Sequence, residues 1–230
     1  MNNILPQRQV FTTKDGSSTF FVAQWDEHYH SIHGALQESK HVFIQAGLKY
    51  FIDKYQPELI RIYEVGFGTG LNAFLTVNFL KNTLVKVEYY ASEAYPLSLE
   101  EVRLLNYTEE MEQSQKDLFL KLHLTPWNEK VEISSQFTLI KQKEFLESRT
   151  SISAIDLVYF DAFAPSAQPE LWTEEIFKNL LDDISDKGIL VTYCAKGSVK
   201  RAMKSAGWKI EAIPGPPGKR EMTRAFAHHE

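Results

Sequence analysis

Three places in this 230-residue chain combine residue types and spacings that could do chemistry. The first is Glu64-x-Gly66-x-Gly68-x-Gly70, set between the β-rich apolar run Ile60, Ile62, Tyr63, Val65 and the helix-compatible stretch Leu71 to Leu80. Strand, glycine turn and helix make the nucleotide-cradling unit of an open parallel sheet. Glycine accepts left-handed backbone angles and lets a ligand approach main-chain N–H groups. The spacing is not the Gly-x-Gly-x-x-Gly of dinucleotide binders. A pyrophosphate wants bare N–H donors at a helix start, and Glu64 would repel it. A carboxylate at that point suits a ligand with positive charge. S-adenosylmethionine, which carries a sulfonium and an α-ammonium, is such a ligand.

The second place is Glu93, at the end of the strand-like run Leu84 to Glu93 and 23 positions beyond Gly70. An acid at the tip of a second strand accepts hydrogen bonds from both ribose hydroxyls of an adenosine-bearing ligand. The third is Asp161, which ends the run Ala154-Ile155-Asp156-Leu157-Val158-Tyr159-Phe160, a buried central strand by its continuous apolar character. Two prolines, Pro165 and Pro169, stiffen the loop that follows, and Phe163 and Trp172 offer it flat apolar walls. Methyl transfer from a sulfonium is an in-line displacement, so positioning dominates. An attacking amine must be neutral, and a carboxylate can orient it and stabilise the charge that grows on nitrogen. The residue types leave two roles open for Asp161, taking the proton or passing it to water.

The elements that must hold these residues follow from periodicity and turn signals. Residues 8–25 read as a hairpin, with strands at 9–13 and 19–23 about the turn 14–18. A helix is predicted over 41–55, ending before Pro57. After the glycine turn come the second strand, a mostly helical 97–125, a third strand at 134–140 and a short helix at 143–147. The central strand, a helix at 170–184, a strand at 188–193, a helix at 198–206 and strands at 208–213 and 223–227 complete the chain. The Pro- and Gly-rich link 214–222 is irregular. Alternating strands and helices predict a doubly wound α/β sheet with its ligand at the carboxyl ends of the strands.

Composition narrows the partners. No apolar run approaches the ~20 residues of a membrane span, and Met1 to Pro6 shows no secretory signal. With the single Cys194 there is no intrachain disulfide, so a cytoplasmic location is expected. His28, His30 and His33 match no closed zinc site, so no metal is expected and they read as surface or pocket-lid histidines. The net charge of −5 is unevenly spread. Residues 187–230 hold nine Lys and Arg against three acids, a balance of +6 that leaves −11 on the rest. That basic segment is able to hold RNA phosphates through a limited patch, or to be a solvated helix surface.

Several motifs recur here in order: Gly66-Phe67-Gly68-Thr69-Gly70-Leu71-Asn72, Glu93 before Tyr95-Pro96-Leu97, Asp161-Ala162-Phe163-Ala164-Pro165, Pro169-Glu170-Leu171-Trp172-Thr173 and Lys219-Arg220-Glu221-Met222. Together they resemble the methyltransferase domain of the tRNA 5-methylaminomethyl-2-thiouridine biosynthesis (MnmC) family over nearly the whole chain. The resemblance implies a class I S-adenosylmethionine-dependent methyltransferase, Rossmann-like, with an N-terminal β-hairpin and helix extension. The boundaries would be 1–57 for the extension and 58–230 for the core of one domain. It implies methylation of the aminomethyl nitrogen on a tRNA wobble uridine, in the anticodon region. Cofactor contacts would fall to Glu64, Gly66, Phe67, Gly68, Thr69, Gly70, Asn72 and Glu93, and Asp161 would face the amine. Phe163, Trp172, Lys219 and Arg220 would meet substrate, the last two alternatively serving in structural pairing. The family's Gly-Asp at the end of the third strand aligns with Lys141-Gln142, so Gln142 would accept from the adenine amino group. The family's flavin oxidoreductase domain has no room in 230 residues, so methylation alone is expected. Small-molecule amine methyl- or aminopropyl transfer, or a non-catalytic adenosyl- or RNA-binding role, are the competing readings.

Overall fold

The computed structural model describes residues 6–227. The N-terminal stretch 1–5, which the signal-peptide reading covers, and residues 228–230, with Glu230 of the basic segment, lie outside the described residues. A small antiparallel sheet comes first, from β1 (Arg8–Thr12), β2 (Ser18–Val22) and β3 (Glu27–His28), paired in that order. The predicted hairpin is present. Its turn is set by Asp15, whose Oδ1 accepts from Thr13 Oγ1 at 2.7 Å and from Ser17 N–H at 3.0 Å. The short β3 falls in the histidine-dense segment, where the sequence shows no strand signal. The helical stretch then starts at Ala35 rather than His41. It runs through α1 (Ala35–Ser39), a widened π-helical stretch (Lys40–Lys49) and α2 (Tyr50–Tyr55). Gln56, at φ +47°, stops it ahead of Pro57.

The main unit follows as β4 (Leu59–Val65), α3 (Leu71–Leu80), β5 (Lys86–Ser92), α4 (Leu99–Val102) and α5 (Gln113–Leu124). It continues through β6 (Lys130–Ser134), β7 (Phe137–Gln142), β8 (Ile155–Phe160), α6 (Glu174–Asp183) and β9 (Ile184–Thr192). It closes with α7 (Gly197–Ser205), β10 (Lys209–Pro214) and β11 (Glu221–Phe226). One eight-stranded sheet results, ordered β10-β11-β9-β8-β4-β5-β7-β6. β7, β5, β4, β8 and β9 run parallel, and β11 and β6 pair antiparallel to their neighbours. The expected third strand, 134–140, is corrected to two strands with a turn at 135–136. β6 carries only Val131 and Ile133 as apolar residues, too few to mark an edge strand. The predicted helix 143–147 is a single 3-10 turn at Leu146–Ser148, and helix in 97–125 is interrupted between Val102 and Gln113.

The central strands are buried on both faces, and alternation sorts their side chains. Leu157 and Tyr159 of β8 join the core under the 35–55 helical stretch, α3 and α5, whereas Val158 and Phe160 join the core under α6 and α7. Phe43 packs on Tyr159 at 5.1 Å between ring centroids, so the 35–55 helical stretch is one cover of the sheet. In β4 the same alternation continues Ile60 and Ile62 to Glu64, which turns it beneath α3. β4 and β8 lie side by side where the chain leaves in opposite directions, the switch point at which open sheets bind ligands.

Gly70 opens α3 at φ +69°, and a Cβ built there would lie 2.8 Å from His123 Nε2. Left-handed backbone and side-chain crowding add, so Gly70→Ala is expected to cost about 2 kcal/mol. Calorimetry should show a melting temperature lower by roughly 4–8 °C.

Candidate active site

The glycine turn is built to expose its backbone. Gly66, Gly68 and Gly70 all have positive φ, at 85°, 49° and 69°. Gly68 N–H donates to Glu93 Oε2 and Tyr95 N–H to Glu93 Oε1, each at 2.8 Å. Glu93 therefore ties the turn to the tip of β5. A carboxylate offers about four lone-pair sites, so both of its oxygens retain capacity for ribose hydroxyls. At the crest of the turn Thr69 is gripped from two elements: its Oγ1 meets His30 Nε2 at 2.8 Å, and its carbonyl accepts from His123 Nε2 at 3.0 Å. A carbonyl only accepts, so His123 carries its proton on Nε2. Burial pushes both imidazoles down to about 4, leaving them neutral at physiological pH.

Three elements meet at Asn72. Its Nδ2 donates to Glu64 Oε1 at 2.9 Å and to Asp161 Oδ2 at 2.8 Å, joining β4, α3 and the end of β8. Two carboxylate neighbours dictate that the amide nitrogen, not the oxygen, faces them. Glu64 is fully buried, and burial raises its carboxyl well above the ordinary range despite the Asn72 bond. Asp161 is pushed up to about 7, first by burial and then by Glu38; Asn72 and Lys219 oppose the shift. A carboxyl poised near neutrality is matched to exchanging a proton at physiological pH.

Asp161, Asn72 and the turn open on a cavity of about 270 Å³. Five carboxylate side chains line it, Glu93, Glu144, Glu147, Asp161 and Glu170, and among the described residues no lysine or arginine does. Two wall acceptors, Asn72 Oδ1 and Glu144 Oε1, are buried without a donor. Unpaired buried acceptors are costly in isolation, and a ligand with N–H donors and positive charge satisfies them. S-adenosylmethionine fits that requirement: an adenine amino group, an α-ammonium and a sulfonium. A pyrophosphate does not.

The expected site residues do not all reach this wall. Gly66, Phe67, Gly68, Thr69, Asn72, Glu93, Asp161 and Phe163 line the cavity, and Gly70 shapes the turn behind them. Glu64 lies one layer back, contrary to a direct contact with a cation, because strand alternation turns it under α3. Gln142 is likewise off the wall; its carbonyl oxygen accepts from Glu93 N–H at 2.9 Å, while its side-chain Oε1 is buried and unpaired. Two residues further, Glu144 is on the wall, and its Oε2 is fixed by Thr150 N–H at 3.0 Å. Trp172 is a core residue, 5% exposed, packed on Phe160 and donating from its indole to the Phe163 carbonyl at 2.8 Å. Its bulk made it look like a wall; it supports one instead. Lys219 pairs with Glu38 at 2.6 Å and sits 3.9 Å from the Tyr193 ring centroid, and Arg220 is exposed; neither lines the cavity. His30, expected at the surface or on a pocket lid, is on the cavity wall, whereas sequence reasoning missed Trp25, Tyr29, Glu144, Glu147 and Glu170 as wall residues.

Among the described residues, no helix is long and apolar enough to cross a membrane, and no group of three or more His, Cys, Asp or Glu is placed to hold a metal ion. The family profile for S-adenosyl-L-methionine-dependent methyltransferases matches residues 106–228. The tRNA 5-methylaminomethyl-2-thiouridine biosynthesis bifunctional protein MnmC of Methylobacillus flagellatus is 29% identical over 88% of this chain and 33% of its own length. The Leptospira interrogans protein of the same name is 30% identical over 86% of this chain and 32% of its own length. The chain thus spans about a third of the length of the curated relatives it matches. The crystal structure of MNMC2 from Aquifex aeolicus superposes with a TM-score of 0.78 at 25% identity, covering 100% of this chain and 73% of that one. A glycine turn tied to Glu93, an acidic cavity at the switch point and a profile match over more than half its length agree: the chain belongs to the S-adenosyl-L-methionine-dependent methyltransferases.

Proposed function

We propose that this chain transfers a methyl group to the aminomethyl nitrogen of the wobble uridine of tRNA, in the cytoplasm, by engaging the anticodon region. The activity named for the MnmC relatives supports the substrate. The observation that carries the reading is Asp161, held by Asn72 at 2.8 Å on the wall of a cavity whose charged side chains are all acidic. When bound, S-adenosylmethionine supplies an electrophilic methyl on a sulfonium. The turn residues Gly66, Phe67, Gly68, Thr69 and Gly70 and the acid Glu93 hold its adenosine. Glu144 takes the adenine amino group in place of Gln142. Glu64 acts through Asn72, which aims Asp161. Asp161 orients the substrate amine, stabilises the charge that grows on nitrogen as the N–CH3 bond forms, and is placed to receive the departing proton. In this reading residues 1–57 extend a core that starts at 58.

The acidic cavity would repel phosphate, so the RNA backbone has to be held beside it. α7 meets that need: Val199 and Met203 are buried and Lys196, Arg201 and Lys204 face outward. Lys196 Nζ stands 3.5 Å from Ser166 Oγ of the loop bordering the cavity.

Asp161→Ala should abolish labelled-methyl incorporation into tRNA from cells unable to make this modification, while calorimetric cofactor affinity stays within a few-fold. Full activity in that variant sinks the assignment. Because Asp161 titrates at about 7, kcat/KM should rise through pH 7, and that limb should disappear in Asp161→Asn. The same shift affects stability. The folded value lies above the ordinary one, so the contribution is fully present below about pH 4 and lost as pH rises through about 7. The melting temperature of Asp161→Asn relative to the native chain should therefore climb by several degrees between pH 4 and pH 8. RNA affinity should fall steeply with salt, and reversing Lys196, Arg201 and Lys204 to Glu should flatten that slope by about two to three. Affinity indifferent to salt removes the basic face.

A further inference from the structure

The end of the cavity beside Asp161 is walled by aromatic rings that the mechanism above leaves unused. Trp25, in the turn between β2 and β3, and Tyr29, just after β3, both line the cavity and both reach Phe163, two residues beyond Asp161. The ring centroids of Trp25 and Phe163 are 4.9 Å apart at 56°, and those of Tyr29 and Phe163 4.8 Å apart at 76°. Tilted and edge-on pairs do not stack face to face, so no ring of the three lies flat on another. Their positions are held from outside. Arg8 Nε donates to the Tyr29 hydroxyl at 2.8 Å, and its guanidinium pairs with Glu101 at 3.1 Å and bonds the Tyr95 carbonyl. The Trp172 indole anchors the Phe163 backbone. Trp25 also meets Tyr95, at 6.1 Å and 55° between rings, and Tyr95 meets Phe145 at 5.8 Å, so one row of rings runs along the wall from Phe163 to Phe145.

We infer that Trp25, Tyr29 and Phe163 form a stacking seat for the planar base that bears the acceptor amine, drawn out of its own RNA stack. This rests on the tRNA reading above. An amine on a one-carbon arm cannot reach a carboxylate inside a cavity while its base remains stacked, so the base has to leave the strand. Unstacked bases are held on aromatic side chains in protein–RNA recognition. Five wall carboxylates keep phosphate out and admit a neutral ring with a cationic arm. The N-terminal extension, which supplies two of the three rings, then completes the substrate site. Rings beside an acid also hold bare cations, and the test below separates that case.

The experiment compares Trp25→Ala, Trp25→Phe and Trp25→Leu by steady-state methylation of two acceptors, hypomodified tRNA and the free nucleoside 5-aminomethyluridine. Binding of S-adenosylhomocysteine and thermal melting are followed in parallel. One stacked base is worth about 1–3 kcal/mol, so Trp25→Ala should raise KM roughly 5- to 150-fold for both acceptors, with cofactor affinity within two-fold. Trp25→Phe should recover most of the loss and Trp25→Leu little, which decides the matter even if the alanine variant folds poorly. Unchanged KM in Trp25→Ala, equal rescue by Leu and Phe, or a penalty seen with tRNA but not the nucleoside overturns the seat alone. Equal rate loss with a small alkylamine lacking a base shows a bare cation cage and also overturns it. A native chain inactive on tRNA instead fails the functional reading and takes the seat with it.

Discussion

One amide side chain holds two carboxylates together at the point where the sheet divides. Glu64 belongs to β4, Asp161 directly follows its parallel neighbour β8, and Asn72 stands in the first turn of α3. Two buried acids at such range would repel one another if both ionised. Asn72 gives each an N–H, and burial keeps Glu64 toward its protonated form, so the pair is tolerated with the charge on Asp161. The arrangement requires β4 beside β8, α3 starting directly at the glycine turn, and alternation that sends Glu64 and Asp161 to the same face. Topology, helix start and strand register are therefore all conditions of one hydrogen-bonded triad.

Around that triad the charges are separated by location. Acids line the cavity, cations sit on α7 and the β10–β11 hairpin, and the pair Glu38–Lys219 lies between them with opposite effects on Asp161. Net charge alone would place this chain away from nucleic acid. The distribution permits a cationic ligand inside and a polyanion outside, because a carboxylate wall excludes phosphate over the same few ångströms in which lysines attract it.

Residues 8–55 are a working part of this arrangement. Their helical stretch packs on one face of the sheet with α3 and α5, His30 grips the crest of the glycine turn, Glu38 bears on Asp161 and Trp25 and Tyr29 wall the cavity. Neutral histidines suit the grip on Thr69, since burial disfavours a second proton on either ring.

What could be read in advance depended on how local each signal is. The glycine spacing at 66, 68 and 70, the apolar run ending at Asp161 and the acid at 93 are decided by neighbours along the chain, and the strand–turn–helix order follows from periodicity. Those features placed the parallel sheet and its ligand edge, and the edge strand β6 escaped because Ile133 is its one buried side chain. Side-chain direction is another matter. Glu64 and Trp172 have the right types at suggestive positions, yet strand alternation and core packing turn them away from the cavity. Lys219 meets Glu38 across 181 residues, and Trp25 meets Phe163 across the boundary between two sheets. Such contacts have no periodicity in the chain. Sequence determined which backbone segments would form the cradle, because propensity and turn chemistry act locally. Tertiary structure alone decided which side chains wall it, because burial and charge pairing act between segments that are remote until the sheet closes.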